Sequence, residues 1–98
     1  MAYYRLSKNA CEDLIRIHQH GVENYGVYQA DKYYNELFQR FEEIAKNPYL
    51  YQVVDRIRDG YRRSACGADN VFYRVLDDNV EIVRILGRQD TEQILLEE

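Results

Sequence analysis

The apolar positions in the first half of the chain follow a helical period. Between Cys11 and Tyr25 they recur at intervals of three and four residues, which places them on one helix face. Ser7 precedes this segment as a natural N-cap, and Gly26 follows it as a residue that tolerates positive φ. The pattern predicts a first amphipathic helix whose buried stripe consists of Cys11, Leu14, Ile17, His18, Val22 and Tyr25.

A second stripe with the same period runs from Ala30 to Ala45 and stops at Asn47-Pro48, where proline cannot continue a helix. Because only a short segment around Gly26 separates the two stripes, we expect an antiparallel helical hairpin with one face left to cover a sheet. The second stripe consists of Ala30, Tyr33, Tyr34, Leu37, Phe38, Phe41, Ile44 and Ala45.

After Pro48 the period changes to two, which is typical of strands. The predicted strands are Gln52 to Ile57, Tyr61 to Cys66, Asn70 to Leu76 and Val80 to Arg88, separated by turn residues rich in Asp, Asn and Gly. The last of them is apolar on both faces and is expected at the centre of the sheet. Ala2 to Leu6 also alternates and is predicted as an N-terminal strand, and Thr91 to Glu98 as a short terminal helix.

Together these elements predict one α+β domain over residues 1–98. It has an N-terminal strand, an antiparallel helical hairpin packed on a three- to four-stranded antiparallel sheet, and a short C-terminal helix. No stretch approaches the roughly 20 apolar residues that span a bilayer, and the start does not read as a signal peptide. We therefore expect a cytoplasmic protein with no membrane partner, in which Cys11 and Cys66 are free buried thiols.

The basic residues are distributed unevenly. The three lysines lie in the first half, and all seven basic residues after Lys46 are arginines, a side chain suited to two-pronged contacts with carboxylate or phosphate. The alternative for any single arginine is an ordinary ion pair with a neighbouring carboxylate on the sheet. The net charge of −4 argues against non-specific binding to nucleic acid.

Little in the sequence points to catalysis. His18 lies on the apolar stripe and is expected to be a hydrogen-bonded core residue, whereas His20 faces water. Cys66 has no neighbouring base that would activate it as a nucleophile. The carboxylates form no metal-like cluster, and there is no glycine-rich phosphate loop, so neither a metal nor a nucleotide cofactor is predicted.

Six strings of residues, taken in their order and spacing, resemble the ParE-type toxins of the RelE/ParE superfamily over nearly the whole chain. They are Ser7-x-x-Ala10-x-x-Asp13-Leu14, Tyr25-Gly26-x-x-Gln29-Ala30-x-x-Tyr33, Ile44-Ala45-x-Asn47-Pro48, Ile57-Arg58-x-Gly60-Tyr61-Arg62-Arg63, Val71-Phe72-Tyr73-Arg74, and Ile82-Val83-Arg84-Ile85-Leu86-x-Arg88-Gln89-Asp90.

The resemblance implies the toxin of a type II toxin–antitoxin system, which inhibits DNA gyrase and growth, serves in plasmid stabilisation, and is neutralised by a ParD-like antitoxin in a higher-order assembly. It implies no catalytic residue and no cofactor. The residues that we expect to contact the target are Arg58, Arg62, Arg63, Arg74, Arg84, Arg88 and Asp90.

Two alternatives stay open. RelE-like relatives cleave mRNA on the ribosome without a metal, and Arg58, Arg62, Arg74 and Arg84 would then bind the scissile phosphate. The chain has no Lys after Lys46 and no Tyr after Tyr73 to move protons in such a reaction, which weakens this reading. Many ParE-like chains have a histidine where Gly87 stands, so the third possibility is a non-toxic relative that only binds an antitoxin.

Overall fold

Two helices and five strands follow one another along residues 3–87, the part of the chain that this computed structural model describes. The elements are β1 (Tyr4–Leu6), α1 (Lys8–Tyr25), α2 (Val27–Lys46), β2 (Gln52–Val53), β3 (Tyr61–Cys66), β4 (Asp69–Val75) and β5 (Val80–Gly87). Neither helix is long and apolar enough to cross a membrane. The predicted terminal helix, Thr91 to Glu98, lies outside the described residues, as do Ala2 and Arg88 at the ends of two predicted strands.

The helical hairpin is confirmed at its boundaries. The Ser7 side chain accepts a hydrogen bond from the Ala10 N–H at 3.0 Å and so caps the first turn of α1. Gly26, at φ 89°, ends α1 by donating its N–H to the Val22 carbonyl, and α2 begins at the next residue. A side chain at this φ would be strained, which is why a glycine joins the two helices so tightly.

The sheet is mixed and has five strands in the order β1-β5-β4-β3-β2, so the prediction of a three- to four-stranded antiparallel sheet was wrong. The N-terminal strand β1 joins the sheet parallel to β5, and the other pairs are antiparallel. Helices α1 and α2 carry the chain from β1 at one edge of the sheet to β2 at the other, and the strands β2 to β5 then return it to the side of β1. Strand β5 has neighbours on both sides, as its apolar sequence predicted.

The strand predicted from Gln52 to Ile57 is also shorter than expected. Only Gln52–Val53 pairs with β3, after which the N–H groups of Ile57 and Arg58 both bond to the Val54 carbonyl. These bonds turn the chain as in one turn of helix, so Val54 and Ile57 are both buried on the same side. The spacing of three residues between Val54 and Ile57 therefore reflects a turn of the chain rather than the end of a strand.

Apolar residues form a core between the hairpin and one face of the sheet. The fully buried residues there include Leu37, Phe41, Ile44, Val71, Tyr73, Val80, Ile82 and Ile85. The opposite face of the sheet, called the outer face below, carries a smaller cluster of Val54, Ile57, Phe72 and Leu86, with Tyr61 packed against it.

Several stripe residues are less buried than their helical spacing predicted, among them Cys11, His18, Tyr25 and Phe38. Cys11 is exposed rather than a buried thiol, whereas Cys66 is buried as expected. Tyr25 is 72% exposed, Phe38 is half-buried, and His18 is half-buried with its Nε2 2.7 Å from Asp31 Oδ1 on α2. Each lies at the rim of the stripe, where α1 and α2 meet each other or solvent rather than the sheet.

Side chains of both helices cover strand edges that no neighbouring strand reaches. Strand β1 pairs only with Val80 to Ile82 of β5, and α1 continues along the remainder of that edge. There Ser7 Oγ donates to the Val83 carbonyl at 2.7 Å, and Asp13 Oδ2 accepts the Ile85 N–H at 2.9 Å. On the other side, Arg40 and Tyr33 of α2 donate to the Ala65 and Cys66 carbonyls of β3. These bonds satisfy edge groups that would otherwise be open to a further strand.

Candidate functional site

The arginines predicted to contact the target do not share one surface. Arg62 and Arg63 are adjacent in β3, and successive side chains of a strand point to opposite faces. Arg62 lies on the helix side, where it donates to the Tyr51 carbonyl at 2.8 Å and its guanidinium stands 5.1 Å from the centre of the Tyr49 ring. Arg63 lies on the outer face and donates to Gln52 Oε1 at 2.6 Å.

Arg74 belongs to a row of side chains that crosses four strands on the outer face. Its Nε donates to Glu81 Oε1 at 2.7 Å, and Arg5 of β1 approaches the other carboxylate oxygen of Glu81 at 3.2 Å. The cross-strand register aligns Arg5 with Glu81, Glu81 with Arg74, and Arg74 with Tyr61. We call Arg5, Glu81, Arg74 and Tyr61 the outer-face row.

Arg5 is absent from the predicted set, although it stands beside Arg74 in the structure. Its alternation with Tyr4 and Leu6, which pack on the core, indicates that it points away from the helices. The sequence does not show that β1 pairs with β5, and only this pairing brings Arg5 to Glu81.

Arg84 is aligned with Phe72 of the outer face, but its guanidinium is bound by Asp13 at the edge of β5 covered by α1. Its Nε and Nη2 donate to the two carboxylate oxygens of Asp13 at 2.8 and 3.1 Å, and the Asp13 side chain is only 6% exposed. Asp13 also accepts the Ile85 N–H and stands 3.6 Å from Arg16 Nη2. The helical period does not mark this aspartate as buried, because its partner Arg84 lies 71 residues away in the chain.

The other members of the predicted set lie elsewhere. Arg58 is half-buried in the turn between β2 and β3, where its carbonyl accepts the Tyr61 N–H at 3.1 Å. Arg88 and Asp90 lie outside the described residues. Of the seven predicted contact residues, the structure thus brings Arg63 and Arg74 to the outer face and places Arg62 and Arg84 in other surroundings.

A cleft of about 680 Å³ lies where the C-terminal half of α1, the start of α2 and the turn between β3 and β4 meet. Arg16, His20 and Gln29 supply its polar rim, and Tyr33 and Asp69 lie at the sheet side. Three apolar residues at the hairpin tip, Tyr25, Val27 and Tyr28, are 72%, 60% and 77% exposed, and Tyr25 also lines the cleft. The hairpin therefore presents a second possible contact region, separate from the outer face.

The buried hydroxyl and thiol groups are poorly suited to proton transfer. Burial raises the pKa of Tyr33, and its hydrogen bond to Asp69, at 2.7 Å, raises it further. Burial also raises the pKa of Tyr73, to about 12, and that of the Cys66 thiol, which disfavours the thiolate. Within residues 3–87, no group of three or more His, Cys, Asp or Glu side chains is placed to hold a metal ion.

The raised pKa of Tyr73 predicts a loss of stability at alkaline pH. Its hydroxyl donates to the Pro48 carbonyl at 2.6 Å, and the residue is fully buried. Below pH 10 both the folded and unfolded states keep this proton, whereas between pH 10 and 12 the unfolded state loses it first. Because of this difference in protonation at Tyr73, we expect the free energy of unfolding to fall by about 2 to 3 kcal/mol over this interval.

Denaturant unfolding at several alkaline pH values measures this loss. Tyr73→Phe should show a shallower fall between pH 10 and 12 than the parent protein, because phenylalanine has no proton to lose. Identical slopes for the two proteins would contradict the assignment.

Comparison with known proteins agrees with the fold and with the resemblance seen in the sequence. The profile of a protein family described as the ParE toxin of the type II toxin–antitoxin system parDE matches residues 4–91. Toxin ParE1 of Caulobacter vibrioides is 44% identical over 86 residues, covering 88% of both chains. Toxin ParE1 of Mycobacterium tuberculosis is 35% identical over 94 residues, covering 94% of this chain and 96% of the relative.

A solved structure has the same fold. A chain from the chromosomal ParDE toxin–antitoxin system of P. aeruginosa superimposes with a TM-score of 0.78, covering 89% of this chain and 96% of the other. At 20% sequence identity this likeness concerns the arrangement of helices and strands, and it agrees with a helical hairpin packed on a mixed sheet.

Proposed function

Because the chain belongs to the ParE toxin family of type II toxin–antitoxin systems, we propose that it inhibits DNA gyrase and thereby replication and growth. Its place of action is then the cytoplasm, where gyrase and its DNA are found. A ParD-like antitoxin neutralises it, and the pair serves in plasmid stabilisation.

The observation that carries this proposal is the chemistry of the outer face. Arg63 and Arg74 are held there by Gln52 and Glu81, and both oxygens of the Glu81 carboxylate are already engaged by arginines. Arginine stabilises negative charge but is a poor base. Within residues 3–87, every lysine and histidine lies on α1 or α2. This arrangement favours binding of a target over cleavage of RNA.

For the antitoxin we propose a segment that lies across the hairpin tip and enters the cleft beside it. Tyr25, Val27 and Tyr28 offer exposed apolar surface, which is characteristic of contact regions when several such residues are adjacent. Antitoxin carboxylates would meet Arg16 at the polar rim of the cleft. A segment that orders as it binds can contact both the hairpin tip and the cleft.

Purified gyrase and relaxed plasmid test the function directly. We expect the protein to inhibit supercoiling in a dose-dependent manner and to increase the fraction of cleaved plasmid, and preincubation with the antitoxin to restore supercoiling. Inhibition that appears without any added cleavage would still support gyrase as the target. Absence of both effects at micromolar protein would refute the proposal.

Primer extension on cellular mRNA after induction separates this function from RelE-type cleavage. We expect transcripts to remain intact at early times. Cuts placed at defined codon positions would instead indicate a ribosome-dependent endoribonuclease, with the sheet arginines binding the scissile phosphate.

A further inference from the structure

The outer-face row holds two arginines at a fixed spacing around one carboxylate. Glu81 is only 14% exposed, whereas the side chains of Arg5 and Arg74 are 59% and 48% exposed. Arg5 and Arg74 lie on the strands on either side of β5, and their side chains converge on the two oxygens of the Glu81 carboxylate. Glu81 thus fixes one nitrogen of each guanidinium group, and each arginine keeps further N–H donors for another acceptor.

Charge is distributed unequally between the two sides of the molecule. Helices α1 and α2 carry seven Asp or Glu residues against five Lys or Arg residues. Among the charged side chains of the paired strands, the outer face has Arg5, Arg63 and Arg74 against Glu81 alone, apart from Arg84, which is aligned with Phe72 but is paired with Asp13. The outer face is therefore the cationic side of a protein whose net charge is −4. Such a local field attracts an acidic partner and orients its approach.

We propose that the outer-face row is a docking surface for an acidic protein segment that presents two carboxylates, with Arg5 and Arg74 as its two contacts. Tyr61 lies at the end of the row and offers an aromatic surface beside Arg74. The inference rests on the proposed function, since it assigns this segment to gyrase, and it adds Arg5 to the contact residues.

A protein segment fits the row better than a nucleic acid does. Glu81 stands between the two arginines and would repel a continuous run of phosphates, whereas separated carboxylates can pass on either side of it. Affinity for nucleic acid also requires a broad cationic field, and the chain as a whole is acidic. Two oriented arginines next to a tyrosine match the residue types that dominate protein interfaces.

Two neutral substitutions test the surface without placing like charges beside Glu81. We expect the double variant Arg5→Gln/Arg74→Gln to raise the concentration that half-inhibits gyrase supercoiling at least about tenfold. Lys32→Gln, the matched control on the exposed side of α2, should change it less than about twofold. Thermal midpoints within a few degrees of the parent protein show that the variants are folded. The affinity of the double variant for gyrase in the absence of DNA should fall in parallel. Its affinity for a short DNA duplex alone is measured as the second probe.

The outcomes separate this inference from the proposed function. Full inhibition by the double variant overturns the inference, and so does loss of duplex binding with unchanged gyrase binding, which would assign the row to nucleic acid. If the parent protein does not inhibit gyrase, the proposed function fails, and growth arrest in cells is then the measurement that tests the outer-face row. In that case the inference is supported if the double variant no longer arrests growth, and it is refuted if growth arrest persists. A parent protein that neither inhibits gyrase nor arrests growth contradicts both.

Discussion

Replacing Phe41 with alanine is expected to lower the free energy of unfolding by about 3 to 5 kcal/mol, the largest effect that a single side chain of α2 should have. The ring is fully buried between the hairpin and the sheet, with Tyr4 at 5.6 Å and Phe38 at 5.3 Å between ring centres. Its removal leaves a cavity that rigid neighbours cannot close. Because domains of this size are stable by only about 5 to 15 kcal/mol, the loss is a large part of the total.

Phe38→Ala is the matched control, since Phe38 lies one turn earlier on the same helix but is only half-buried. The helical stripe alone predicts equal costs for the two substitutions, whereas the structure predicts that Phe38→Ala costs distinctly less. Urea unfolding with a common m-value measures both. A cost for Phe38→Ala equal to or above that of Phe41→Ala would refute the position of α2 on the sheet.

Replacing Asp13 with alanine should lower the free energy of unfolding by about 3 to 5 kcal/mol through a different mechanism. The substitution leaves the largely buried Arg84 guanidinium without its two-oxygen acceptor and leaves the Ile85 N–H unsatisfied. The edge of β5 beyond Ile82 would also lose a group that joins it to α1.

Two further variants identify the mechanism. Glu12→Ala removes the neighbouring exposed carboxylate of α1 and should change stability by no more than about 0.5 kcal/mol. Adding Arg84→Met to Asp13→Ala should recover part of the loss, because the double variant no longer buries a guanidinium that has lost the Asp13 carboxylate. Purely additive costs in this double-mutant cycle would show that the pair is not coupled.

This ion pair changes how substitutions of Arg84 are interpreted. If Arg84 were an exposed target contact, as the sequence predicted, Arg84→Glu would alter function with a modest effect on the fold. In the structure that substitution would set a carboxylate against the buried Asp13, so we expect it to unfold the edge of the sheet. Loss of toxicity in Arg84→Glu is therefore no evidence of a target contact, whereas Arg74 on the outer face is accessible enough to report one.

The sequence by itself determined the elements whose signals are local. The helix boundaries at Ser7 and Gly26, the stop at Pro48 and the strands β3, β4 and β5 follow from capping, from the conformational freedom of glycine and from side-chain periods that act within a few residues. The family strings likewise lie in continuous segments, and the match over residues 4–91 confirmed them. The arginine-rich composition of the sheet could be read directly from the chain.

Only the tertiary structure decided which of these residues meet. The parallel pairing of β1 with β5 joins residues at opposite ends of the chain, and no local period carries information about it. Because of this pairing, Arg5 lies near Arg74. Because β1 pairs with only part of the β5 edge, α1 lies along the rest of it, and Asp13 is the buried partner of Arg84. An arginine's charge is set by its chemistry, but whether it contacts a carboxylate of its own chain or one of a partner depends on the three-dimensional arrangement of strands and helices.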